Sequence, residues 1–216
     1  MGLLMDSSPS ELVRMVDRVR EGDRSALAAL FDAYRERLHR MVDLRLDSRL
    51  RPRLDPADVV QDAFLDASRR LDDYRRDPKL SPFLWLRLIV GERLTNVHRH
   101  HLGTRMRDSG REVSLFHDAL PQASSAALAS MLLGKQTSPT QAAQRAERLL
   151  KVQEALNSLD QVDREILSLR HFEQLNRAEA AQALGITEEA GAKRYIRALK
   201  RIKDVMARMP GGLEDL

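Results

Sequence analysis

Between Lys193 and Lys203 the sequence KRYIRALKRIK carries six cations, Lys193, Arg194, Arg197, Lys200, Arg201 and Lys203, with no acid among them. Cations at that density suit phosphate, the group that dominates affinity for nucleic acids. The stretch upstream, AEAAQALGIT, supplies what would aim such a segment. Ala181 is small enough to let two helices approach, Gly185 ends the first helix in a tight turn, and Ile186 plugs the gap. Thr187 can then cap a second helix, with Glu188 and Glu189 in the first turn where the dipole favours acids. A basic run alone commonly marks only a solvated face. With this turn in front of it, the run reads as the second helix of a DNA-binding helix-turn-helix, which must be both packed and electropositive.

A second constellation lies in LDPADVVQDAFLDA. Asp55 is a cap, Pro56 takes the first helical position, and Asp58 falls in the first turn. Val59, Val60, Ala63, Ala67, Leu71 and Tyr74 form the apolar stripe of this helix, leaving Asp58, Gln61, Asp62, Asp66 and Arg69 on or near the solvent side. Acidic and amide groups beside a small apolar patch suit a partner helix bearing arginines. Farther on, Lys79, Arg87, Arg93, Arg99, Arg105 and Arg107 bring a series of cations in and around the next helical stretch. Trp85 shares the helical spacing of Leu88 and Ile89 and reads as core rather than as a base-stacking platform. The histidines of HRHH, His98 to His101, point in different directions on a helix and have no carboxylate at ligand spacing, so no metal is expected there.

The elements that must carry these residues are helical. Ser10 caps a short first helix that stops at Glu21-Gly22, and Asp23 caps a long second one along Leu27, Leu30, Phe31, Tyr34, Leu38, Met41 and Leu44. The acidic helix is third. Ser81 and Pro82 open a fourth, whose Leu84, Trp85, Leu88 and Ile89 pack inward. After Arg111 the segment LPQASSAALASMLLGKQTSPTQAAQ is rich in Ala, Ser, Gln and Thr, as expected of a linker with one short helix. Its apolar piece AALASMLLG reads either as a tether helix or as a docking strip of a closed form. Four more helices follow. The expected fold is all-α, with a domain over 8–108, a linker over 109–142 and a helix-turn-helix domain over 143–209.

Composition narrows the function classes. The 216 residues contain no cysteine, which excludes disulfides, thiolate nucleophiles and cysteine-ligated zinc. Lysine and arginine number 36 against 32 aspartates and glutamates, so the distribution of charge matters more than its total. Neither a basic signal-peptide start nor a run of about 20 apolar residues is present, which points to the cytoplasm and against membrane insertion. No glycine-rich phosphate loop suggests nucleotide hydrolysis, no cofactor is implied, and scattered carboxylates do not make an enzyme.

Taken in order, DPADVVQDAFLDA, SPFLWLRLIVGERLTNVHR, a variable linker, LNSLDQVDREILSLRHFEQLNRAEAAQALGI and a basic last helix resemble a bacterial RNA polymerase sigma factor of the sigma-70 family. Within it the chain is most similar to the extracytoplasmic-function (ECF) group, over roughly residues 10–105 and 145–205. The resemblance implies a transcription initiation factor that binds core RNA polymerase, at the clamp helices and the flap of its large subunits, and directs it to promoter DNA. It nominates Asp58, Val59, Gln61, Asp62 and Phe64 for the polymerase. It also nominates Lys79, Ser81, Arg87, Asn96, Arg99 and His100 for the minus-10 element. Thr187, Glu188, Lys193, Arg194, Arg197, Lys200 and Arg201 are nominated for the minus-35 element. An anti-sigma factor is the implied regulatory partner. A two-domain helix-turn-helix regulator that does not bind polymerase would share the last helix but would leave the acidic third helix followed by a basic fourth unexplained. The family commonly has a β-branched residue where this chain has Gly191 and a basic or small polar one at Ala192. A glycine inside a helix costs roughly 1 kcal/mol against alanine, so a close approach to the helix AEAAQAL is expected at Gly191.

Overall fold

The computed structural model describes residues 9–102, 120–134 and 142–208, and every regular element among them is helical. Packing divides the chain into two compact units, Met1–Val42 with Leu46–Pro121, and Asp43–Arg45 with Gln122–Leu216.

The first unit carries α1 (Pro9–Glu21), α2 (Arg24–Arg45) as far as Val42, α3 (Pro56–Arg76) and α4 (Pro82–Leu102). Helix α1 begins at Pro9, so Ser10 lies inside it rather than capping it. The Asp23 carboxylate accepts from the Ser25 and Ala26 amides at 2.8 and 3.1 Å, and Asp55 accepts from Ala57 at 2.8 Å with Pro56 behind it. Both starts therefore satisfy donors that the helix itself leaves orphaned. Helix α3 buries Val59, Val60, Ala63, Ala67, Leu71 and Tyr74, the stripe that the spacing predicts. Helix α4 is buried on nearly every side of its first half, including Phe83, Leu84, Leu86, Ile89 and Val90, as suits a helix apolar all round. Aromatic rings fasten it to its neighbours. Phe83 meets Tyr34 of α2 edge-on at 5.1 Å, and Trp85 stacks on Tyr74 of α3 at 4.4 Å. Trp85 is thus committed to the core, 8% exposed.

The second unit carries α5 (Ser125–Leu132), α6 (Ala142–Asn157), α7 (Gln161–Leu167), α8 (Arg177–Leu184) and α9 (Glu188–Met206), with a π-helical turn over Ser168–Phe172 continuing α7. Leu128 and Ala129 of α5 join Val152, Leu156, Leu167, Phe172, Ala198 and Ile202 in one buried cluster. The short apolar helix expected within 109–142 is thus α5, and it is built into this core. At the α8 start, Asn176 accepts from the Glu179 amide while the Glu179 carboxylate accepts from the Asn176 amide, at 2.9 and 3.1 Å. This reciprocal box fixes where α8 begins. Gly185 ends it at φ 64°, a left-handed conformation that a residue without a Cβ adopts without strain.

Candidate nucleic-acid and partner interfaces

Helices α8 and α9 pack as a helix-turn-helix, with Thr187 capping α9 through its hydroxyl, which accepts from the Ala190 amide at 3.2 Å. Helix α9 buries Gly191, Ala198, Ile202 and Met206. A helix with that buried stripe turns Lys193, Ile196, Arg197, Lys200 and Lys203 outward, and all five are exposed. Thr187 and Glu188 sit at its exposed, dipole-positive end, and Lys193 pairs with Glu189 one turn back at 2.5 Å. The outer face of α9 is therefore cationic along most of its length.

Three of the nominated arginines also reach groups of the protein itself, and Arg194 does so most fully. Arg194 is directed at the start of α7, where it donates to the buried Asp163 carboxylate at 2.6 Å and to Asp160 at 3.3 Å. Asp160 is also the cap of α7, accepting from Val162 at 2.8 Å, and that backbone bond together with Arg194 holds its carboxyl below the usual range. Arg197 lies 3.7 Å from the other Asp163 oxygen while staying mostly in water. Arg201 donates to the Ser158 hydroxyl at 3.3 Å. Arg194 thus ties the recognition helix to α7, and its guanidinium is occupied within the protein. Sequence reading missed the two aspartates. The signal was present in DQVD, a cap-type residue and a first-turn acid directly ahead of an apolar run.

Gly191 corrects an expectation. A Cβ built there meets nothing nearer than Ile186 Cδ1 at 3.7 Å, Ile166 Cδ1 at 3.8 Å and Ala181 Cβ at 4.0 Å, which is ordinary contact. No close approach requires a glycine. Gly191→Ala is therefore expected to stabilise the protein by up to about 1 kcal/mol, the difference in helix propensity, measured as a rise in the urea midpoint. A fall in the midpoint would show that the neighbours cannot give way.

In the first unit the nominated residues separate by exposure. Asp58, Gln61 and Asp62 share the exposed side of α3, and Asp62 pairs with Arg93 of α4. Phe64 is half-buried, edge-on to Phe31 at 5.1 Å. Val59 and Arg87 are each only 2% exposed. Both must be moved from the surface to the interior, because Val59 belongs to the inward stripe of α3 and Arg87 to the buried stretch of α4. On α4 the Arg99 guanidinium donates to the Asn96 amide oxygen at 2.8 Å, and His100 meets His101 edge-on, so the three minus-10 candidates Asn96, Arg99 and His100 lie on one exposed end. Ser81 accepts from the Leu84 amide at 3.4 Å as the α4 cap, and Lys79 pairs with Asp77 at 2.7 Å. Arg105 and Arg107 lie outside the described residues. His98 is turned inward, where its Nε2 accepts from the Asp47 amide at 3.3 Å and burial pushes its pKa down. Among the described residues no group of His, Cys, Asp and Glu could hold a metal, and no helix is long and apolar enough to cross a membrane.

Comparison with known proteins joins these halves. Residues 149–202 match the family described as sigma-70, region 4. RNA polymerase sigma factor NccH of Alcaligenes xylosoxydans xylosoxydans is 30% identical over 151 residues, covering 70% of this chain and 73% of that protein. ECF RNA polymerase sigma factor SigD of Mycobacterium tuberculosis strain H37Rv is 30% identical over 183 residues, covering 85% of this chain and 78% of SigD. The chain belongs to the ECF sigma factors. Its fold is also like that of CnrH, solved in complex with the cytosolic domain of CnrY, with a TM-score of 0.50 and 22% identity over 89% of this chain and 94% of CnrH. As a sigma factor the protein is a transcription initiation factor. The region 4 match spans α8, the Gly185 turn and α9 through Ile202, so the outward cations Lys193, Arg197 and Lys200 lie within it.

Proposed function

We propose that this sigma factor binds core RNA polymerase through the exposed acidic side of α3 and reads the minus-35 element with the outer face of α9. The observation that carries the reading is the capped helix-turn-helix, whose second helix is packed on one side and cationic on the other. Its exposed Lys193, Arg197 and Lys200 meet phosphates and base edges, while Arg194 holds the helix at its angle. In the first unit Asn96, Arg99 and His100 offer polar and flat groups to an unpaired minus-10 strand, with Lys79 before them in the chain. Binding energy from captured bases offsets unstacking, which costs a few kcal/mol per step, so strand opening needs no nucleotide hydrolysis by this chain. Catalysis stays with the polymerase, in the cytoplasm. A regulatory protein of the anti-sigma kind, as the family resemblance implies, would cover the same two faces.

In vitro transcription with core polymerase over a random promoter library tests this directly. Transcripts should start from a sequence-restricted subset of templates only when the protein is present. A protein that leaves the template distribution unchanged, or that fails to associate with core polymerase, acts instead as an ordinary helix-turn-helix regulator.

A further inference from the structure

Ile196 is 66% exposed, in the middle of the outer face of α9. Lys193 lies three positions before it and Lys200 four positions after it, so all three share one side of the helix, and Arg197 is adjacent. Glu189 and Lys203 continue the charged face, and the other exposed apolar side chain of α9, Leu199, is only 37% exposed. A single exposed isoleucine on an ordinary surface needs no explanation, but this one occupies the centre of the face that a recognition helix turns to DNA. It is also one lip of an open cleft of about 140 Å³, whose walls include Gly191, Ala192, Tyr195, Arg170 and Arg177. Ala192, one turn before the isoleucine, is a short side chain and leaves room beside it. Arg170 lies over the Tyr195 ring at 5.6 Å, which sets a cation close to the cleft.

We propose that Ile196 is a specificity-determining residue of the minus-35 contact, packing against the C5 methyl of a thymine in the major groove. The inference rests on the reading that α9 enters that groove. Among the base edges displayed in the major groove, the thymine methyl is the distinctive apolar group. The flanking lysines and Arg197 suit the phosphates on either side, while the short side chain of Ala192 leaves space for the methyl beside Ile196. A cation at Ile196 would add affinity for any sequence, whereas the isoleucine adds it only where a thymine stands.

The test uses the full chain with core polymerase on a promoter recovered from the library. Each thymine of the minus-35 element is replaced in turn by deoxyuridine, which removes the methyl and nothing else. One position should lower affinity roughly fourfold, about what burial of a methyl group contributes. Ile196→Ala should lose a similar factor on the natural promoter and show no further loss with deoxyuridine at that position. Ile196→Val should retain part of the methyl response. If Ile196→Ala remains as sensitive to the methyl as the parent, or if no thymine shows the effect, the assignment is wrong. A loss of core binding by Ile196→Ala, equal on all templates, would show that the residue meets protein and would overturn it too. Failure to direct transcription from any template overturns the sigma reading itself, a result distinct from normal transcription without a methyl response.

Discussion

Asp163→Ala is expected to destabilise the helix-turn-helix unit by about 1.5–3 kcal/mol, the range for hydrogen bonds that involve charged groups. The Asp163 side chain is 4% exposed, and its carboxylate receives Arg194 at 2.6 Å with Arg197 near its second oxygen at 3.7 Å. Its loss leaves Arg194 part-buried with only the longer contact to Asp160 at 3.3 Å. The value falls short of the ~3–5 kcal/mol seen for fully buried pairs because the Arg194 side chain keeps 30% of its surface in water. Urea denaturation followed by circular dichroism reads the loss. The same pairing makes Arg194→Gln informative about DNA. A strut should lower stability by a similar amount and leave the salt dependence of promoter binding unchanged. Lys200→Gln, which removes an exposed cation, should instead reduce the salt slope by about one while leaving stability alone. The Arg194 assignment fails if Arg194→Gln lowers the slope by one and melts like the parent. A double substitution of Asp163 and Arg194 should cost less than the sum of the two singles, since the residues form one interaction.

What could be read from the sequence was local. Asp23, Asp55 and Thr187 each sit directly ahead of a helix with an oxygen in reach of its orphan amides, so position alone announced their role. The α3 stripe from Val59 to Tyr74 and the turn at Gly185 depend on the chain's own periodicity and on one backbone conformation, and both were legible for that reason. What escaped depends on neighbours distant in sequence. Arg194 reads as a phosphate ligand until Asp163, 31 positions earlier, is seen beside it. Arg87 reads as a surface cation because its charge outweighs its place in the apolar run FLWLRLIV, yet that run is where α4 is buried on nearly all sides. Gly191 invited a packing explanation, but only the spacing of Ile186, Ile166 and Ala181 around it shows that a methyl group fits. Ile196 was hidden among cations, since an isoleucine in a helix is assumed to face inward until the buried stripe is located.

Asp62→Arg is expected to weaken core polymerase binding by tenfold or more while changing stability little. Asp62 and Arg93 are both partly exposed, at 49% and 39% of their side-chain surface, and a pair so placed contributes on the order of 0–1 kcal/mol. For a chain of this size that is about 2–4 °C in the melting temperature per kcal/mol. Reversal at the interface is another matter. A partner helix rich in arginine would meet a cation where it expects an acid, and like charges brought together across an interface cost several kcal/mol. The exchange variant Asp62→Arg with Arg93→Asp separates the two effects. It restores an ion pair between α3 and α4, so a role confined to holding those helices predicts recovery of polymerase binding along with stability. A role for Asp62 in facing the polymerase predicts recovery of stability alone, with affinity still depressed and the deficit shrinking as salt is raised. Unchanged affinity in Asp62→Arg would move the polymerase-facing surface away from this side of α3.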